Sequence, residues 1–269
     1  MTTITNPIDP SKRSALKVTW SVWRALFLRE SSANLSEGRI PWFWIIFEPL
    51  SHVLVWLMIH AYLNIRFVPG VDVVTFFVSG LLGMIMFREV VINGMNAVTA
   101  YAGLLSYRQI KPVDCVIIRA FFRGFVIMMA GTIFLVVIGS MGRQALPNAP
   151  LIVFLAYCLI WAFGLGLGLI FSVGARFIPK LQNIVTVVLR IMYFTSGAII
   201  PITYIPNPAR DYMMMNPVAH GFETIHAGFF SAYPPAQGTS LLYLAAGAII
   251  VIFVGLFLQY HMAHRLISK

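Results

Sequence analysis

The sequence predicts an all-α integral membrane protein, and three observations carry that prediction. Hydrophobic residues make up 59% of the 269 positions and charged residues only 10%, with a mean hydropathy of +0.84, far outside the range of soluble globular domains. Apolar runs long enough to cross roughly 30 Å of hydrocarbon at about 1.5 Å per residue recur along the whole chain and leave no room for a soluble domain. Lys and Arg crowd into alternate connections between those runs, the asymmetry expected of a protein inserted with its basic loops held inside.

Two parts follow. Residues 1–39 form a polar, basic N-terminal segment, and residues 40–269 form a single membrane domain. In the first part Leu16, Trp20, Trp23 and Phe27 recur at i, i+4, i+7 and i+11, with Arg13, Lys17 and Arg24 on a flank. That pattern predicts an amphipathic helix lying in the inner interface with its tryptophans at headgroup level. The first apolar run is much longer than the roughly 7 to 15 residues of a signal-peptide core, so no cleaved leader is expected.

The domain reads as six transmembrane helices over 40–64, 71–98, 113–140, 149–174, 181–200 and 241–262. With the N-terminus inside, the inner segments hold Arg24, Arg29 and Arg39, then Arg108 and Lys111, then Arg176 and Lys180, then Arg265 and Lys269. The outer connections hold only Arg66, Arg143 and Arg210, so both termini are expected in the cytoplasm. The formal charge of +10 thus borders the spans and faces anionic lipid heads, which argues against nucleic acid as a partner. Cys115 and Cys158 fall at different depths, so no disulfide is expected, and their spacing fits no metal site.

Three connections or spans carry finer patterns. Between spans two and three, Ala97, Tyr101, Leu104 and Leu105 make one apolar face of a short cytoplasmic helix, and "SYRQIKP" follows as a basic tail with Arg108 and Lys111. Pro112 and Asp114 suit the first turn of span three. Gly164 and Gly168 stand in small-xxx-small register in span four and predict close helix packing. Between spans five and six, Pro206, Pro208 and Pro217 interrupt a greasy stretch, which predicts short re-entrant helices in the outer leaflet.

Charged groups inside spans are costly and mark function or pairing. In span one Glu48, His52, Trp56 and His60 recur every fourth residue as a polar and aromatic ridge. Arg88 of span two, or Arg119 and Arg123 of span three, are the expected counter-charges, forming an inner vestibule. Catalytic signatures are missing: there is no Gly-x-Ser-x-Gly, no His-Glu-x-x-His, and no Walker-type Gly-x-x-x-x-Gly-Lys. The chain is therefore not expected to be an enzyme. If ATP drives it, another chain hydrolyses the ATP.

The stretches "GRIPWFWIIFEPLSH", "YRQIKPVDCVIIRA" and "MNPVAHGFE", in that order, resemble those of the inner-membrane permeases of bacterial capsular polysaccharide ABC exporters, the KpsM type, within the type-2 ABC transporter permeases. The likeness runs from about residue 25 to 230. One departure is His226, where the family pattern carries an Arg. The resemblance implies a dimer of this chain with two copies of a cytosolic ABC ATPase, which would hold ATP and Mg while this chain carries no cofactor. It implies an interface helix over 14–29, a coupling helix over 97–107 seated on the ATPase, and periplasmic gate helices over 208–230 that include Asn216, His220 and Glu223. The implied cargo is an anionic capsular polysaccharide on a lipid terminus, passed on to a polysaccharide co-polymerase and an outer-membrane export protein.

For such a cargo, a surface of aromatic rings offers stacking without tight holding. Trp56, Tyr193 and Phe194, with Glu48 and His52, are the channel candidates, beside Trp42 and Trp44. Arg24, Arg29, Arg119 and Arg123 are candidates for receiving an anionic lipid head. Three other readings stand beside this one. O-antigen or teichoic acid as cargo is separated only by motif likeness. A polytopic glycolipid enzyme would need acidic metal ligands, and the outer loops hold only Asp72, Asp211 and Glu223, widely spaced. An ion-coupled transporter would need no ATPase partner.

Overall fold

The structure is a computed structural model. It describes residues 15–36, 41–63, 68–107 and 109–267, without the side chains of 15, 16, 34–36, 41–46, 48–50, 61, 63, 264, 265 and 267. Among the described residues every element is helical and there is no strand. The order is α1 (Ala15–Ser36), α2 (Pro41–Leu63), α3 (Val73–Met95), the short α4 (Ala97–Ala100), a 3-10 turn (Ala102–Leu104), α5 (Pro112–Ser140), α6 (Pro150–Phe177), α7 (Leu181–Thr195), a second 3-10 turn (Ile202–Tyr204), α8 (Ala209–Met213), α9 (Pro217–Phe229) and α10 (Leu241–Ile267).

Among the described residues four helices are long and apolar enough to cross a bilayer: α3, α5, α6 and α10. The 15 residues of α7 span about 22 Å at 1.5 Å per residue, short of the hydrocarbon thickness. Its helix stops at Thr195, before the expected end at residue 200, because Gly197 turns the chain with a φ of 79°.

Helix starts follow capping chemistry. Asp72 accepts a hydrogen bond from Thr75 N at 3.0 Å and opens α3. Pro112 begins α5 while Asp114 accepts from Lys111 N at 3.2 Å, as the first-turn pattern predicts. Asn216 accepts from Val218 N at 3.1 Å and opens α9.

The centre of the molecule is α3, 83% buried along its apolar window, with α5 and α6 packed along it and α2, α7 and α9 at its sides. Glycines allow this closeness, as the sequence predicts. A Cβ on Gly168 would stand 3.3 Å from Gly94 Cα of α3, and one on Gly164 would stand 3.2 Å from Phe87. Gly166, between them, faces the other way: its Cβ would meet Ile252 N of α10 at 2.7 Å. Alternate glycines of α6 therefore serve two neighbours, a packing mode suited to a medium without a hydrophobic drive between helices.

Two orientations differ from the sequence reading. The buried stripe of α1 is Val22, Leu26 and Glu30, with Trp23 and Phe27 half-buried, while Trp20 is 69% exposed. The ridge is rotated because α1 packs against α5 and α2, so the protein itself selects the face. The connection between α3 and α5 is not one outward-facing amphipathic helix over 97–107. It breaks into α4 and a 3-10 turn, and Ala97, Tyr101 and Leu105 point inward, 0%, 3% and 5% exposed. Their apolar face covers the chain's own core, and the outer surface of the segment is Ala102, Gly103, Ser106 and Tyr107 with half-buried Leu104.

Candidate functional site

Three clusters gather the residues singled out in the sequence. The first is a cavity of about 430 Å³ between α2, α3 and α7. His52 and Trp56 of α2, Arg88 of α3, and Tyr193 and Phe194 of α7 all line it, so the structure brings together residues far apart in sequence. Trp56 Nε1 donates to Tyr193 Oη at 3.0 Å, and the Trp56 ring meets Phe194 edge-on with centroids 6.4 Å apart. Rings fixed in this way offer faces and edges for stacking without rearrangement. The Glu48 side chain, one turn before His52, lies outside the described residues, as do those of Trp42 and Trp44.

The expected pairing of Glu48 lies outside the described side chains. Arg88 meets Glu89 at 3.2 Å, and Arg119 meets Glu30 at 3.1 Å. The cavity also contains Thr186 and Arg190 of α7, which the sequence reading passed over. An arginine inside an apolar helix was the available signal for Arg190.

The second cluster lies at the α1 end of the bundle. Glu30, 6% exposed, accepts a short hydrogen bond from Tyr101 Oη and pairs with Arg119, whose guanidinium also reaches Asn96 O at 3.4 Å. Arg29 sits over the Tyr101 ring, 4.9 Å from its centroid. Burial, reinforced by the neighbouring Glu30 carboxylate, pushes the Tyr101 hydroxyl well above its ordinary range, so it stays a donor. Trp23 Nε1 donates to Asp114 at 2.9 Å. Helix α1, the α3–α5 connection and α5 are thus tied through one carboxylate.

Of the lipid-head candidates, Arg119 is paired with Glu30, while Arg29 is exposed and stacks on Tyr101. Arg24 is exposed, and Arg123 keeps a buried Nε without a hydrogen-bond partner among the described residues. Arg108 lies outside the described residues, and Lys111 is exposed at the start of α5. Glu30 itself was missed. The signal was its place four residues after Leu26, continuing an apolar stripe with a carboxylate.

The third cluster lies at the opposite, α9 end. Asn216 caps α9. His220 takes Ser240 N on Nδ1 at 3.0 Å, and its Nε2 stands 2.8 Å from Met214 O. Glu223, fully buried, accepts from Tyr233 Oη at 2.8 Å, Ala236 N at 2.8 Å and Ile202 N at 3.4 Å. These three residues hold the segment between α7 and α10 in shape. No group of His, Cys, Asp and Glu suited to a metal ion occurs among the described residues.

With this geometry in view, comparison with known proteins is direct. Polysialic acid transport protein KpsM of Escherichia coli is 29% identical over 244 residues, 91% of this chain and 94% of the relative. Capsule polysaccharide export inner-membrane protein CtrC of Neisseria meningitidis is 25% identical over 221 residues, covering 81% and 82%. Capsule polysaccharide export inner-membrane protein BexB of Haemophilus influenzae is 22% identical over 246 residues, covering 91% of each. Residues 23–230, which run from the Trp23 contact of α1 through the end of α9, match the family model described as ABC-2 type transporter, and the chain belongs to that family.

Proposed function

We propose that this chain is the transmembrane permease subunit of an ATP-driven exporter that moves anionic capsular polysaccharide, carried on a lipid terminus, from the cytoplasm across the bacterial inner membrane. The observation that carries the proposal is the cavity between α2, α3 and α7, which combines fixed aromatic rings with guanidinium groups in a chain of the ABC-2 type transporter family. A charged sugar polymer needs both: stacking faces for the rings and cations for its acidic groups. The relatives named above supply the capsule as cargo.

In this reading α2, α3, α5, α6, α7 and α10 are six spans, α7 being completed by residues 196–200, and both termini are cytoplasmic. Helix α1 lies in the inner interface, and α8 and α9 are periplasmic re-entrant helices whose gate is framed by Asn216, His220 and Glu223. Arg24 and Arg123 receive the lipid head. The permease works as a homodimer with two cytosolic ABC ATPase subunits that bind ATP and Mg, and it hands its cargo to a polysaccharide co-polymerase and an outer-membrane export protein. The ATPase seats on the outward strip of the coupling segment, Leu104 and Tyr107, because Tyr101 is turned inward.

The test is purification of the chain from its native membrane, with transport measured in inverted vesicles. The expected result is a co-purifying soluble protein with Walker motifs, ATP-dependent uptake of acidic capsule oligosaccharide, and loss of that partner in Tyr107→Asp. Uptake driven by a proton gradient without ATP, or no ATPase partner in the wild type, overturns the proposal.

A further inference from the structure

Arg190 stands two-thirds of the way along α7, in an apolar helix of 15 residues. A guanidinium at such depth is costly unless it faces water, protein or an anion. It faces the cavity, and among the described residues it has no hydrogen-bond or ion-pair partner. Arg88 enters the same cavity from α3, half-buried and in contact with Glu89. His52 adds a third nitrogen group and Thr186, one turn before Arg190, a hydroxyl. Among the described lining residues the charged side chains are Arg88 and Arg190, and the stacking surface is the hydrogen-bonded Trp56–Tyr193 pair.

From this juxtaposition we infer that Arg190 is the specificity-determining residue of the permease: with Arg88 it grips an anionic oxygen group of the cargo, while Trp56 and Tyr193 stack on the adjoining sugar. A guanidinium presents paired donors that match a carboxylate or phosphate edge, so the site selects acidic over neutral cargo. The anion is a group on the sugar units or the phosphate of a lipid terminus. This inference rests on the transport reading above and adds to it the group that sets the charge of the cargo.

The experiment uses the permease reconstituted with its ATPase in proteoliposomes, and it reads ATPase stimulation against three probes. These are oligogalacturonate, an uncharged maltooligosaccharide of equal length, and lysophosphatidylglycerol set against lysophosphatidylcholine. Arg190→Gln is expected to raise the half-saturating concentration of one acidic probe about tenfold, leave the neutral probes within about twofold, and be largely restored by Arg190→Lys. Which acidic probe responds identifies the source of the anion. If Arg190→Gln does not assemble, Arg190→His supplies the same comparison: acidic preference below its titration and loss of preference above it. Equal shifts for acidic and neutral probes, or none, overturn the inference while the transport reading stands. A wild-type complex that responds to no saccharide or lipid probe overturns both.

Discussion

His226 is held as a neutral imidazole. It is fully buried, stacked on Phe76 with ring centroids 3.8 Å apart and flanked by Tyr233. Burial pushes its pKa from 6.5 down to about 3, with a contact to the Phe76 backbone opposing only in part. The folded form therefore excludes the proton: the stability this gives is present above the unfolded value of about 6.5 and is lost as pH falls from there towards 3. Glu223 runs the other way. Burial raises its carboxyl against the donors from Ala236, Tyr233 and Ile202, so its contribution is present at low pH and lost as pH rises through that raised value. We expect His226→Phe to flatten the fall in melting temperature between pH 6.5 and 4, measured on the detergent-solubilised protein. Parallel pH profiles for variant and wild type would exclude this account.

Helix α1 and the α3–α5 connection behave as a joined pair of elements, because Glu30 bonds Tyr101 on one and Arg119 on α5. Removing the carboxylate leaves Arg119 uncompensated, which costs on the order of 3 kcal/mol for a mostly buried pair. In Glu30→Gln, hydrogen exchange over 15–36 and 97–107 is expected to quicken together, and quickening of only one segment would contradict the tether. The elements themselves were largely legible in the sequence. Helices α3, α5, α6 and α10 announce themselves by apolar length, and the Pro112 start by first-turn chemistry. The facing of the short segments was not legible: a period defines an apolar stripe at Ala97, Tyr101 and Leu105 but not whether core or partner covers it. Arg190 escaped notice because the surrounding Val, Leu and Ile dominate the hydropathy of α7, and Glu30 because a single carboxylate looks like surface until Tyr101 and Arg119 are brought against it.

Taken whole, the molecule is a bundle with α3 at its centre and much apolar surface turned outward. Only 17% of the apolar window of α10 and 33% of that of α5 is buried. Such a surface fits lipid or a second copy, not water. The two ends differ chemically: the α1 end carries the buried Glu30–Arg119 network, and the α9 end the more exposed Arg143–Asp72 pair beside buried Glu223 and His226. The proposed topology, with both termini cytoplasmic, predicts that Ser268→Cys and Gly142→Cys, each in a Cys158→Ser background with Cys115 buried, are labelled from opposite faces of sealed vesicles. Labelling of both from the same face would refute the six-span topology.

The alternate glycines of α6 have a mechanical consequence. With α3 seated on Gly164 and Gly168 and α10 on Gly166, those three helices leave no slack between them, and sliding one past another would drive backbone into backbone. They form the frame. Helices α2 and α7 lean on α3 of that frame and carry walls of the chamber between them. The glycine spacing thus sets a tightly seated trio of helices apart from α2 and α7, which the Trp56–Tyr193 hydrogen bond joins across the chamber.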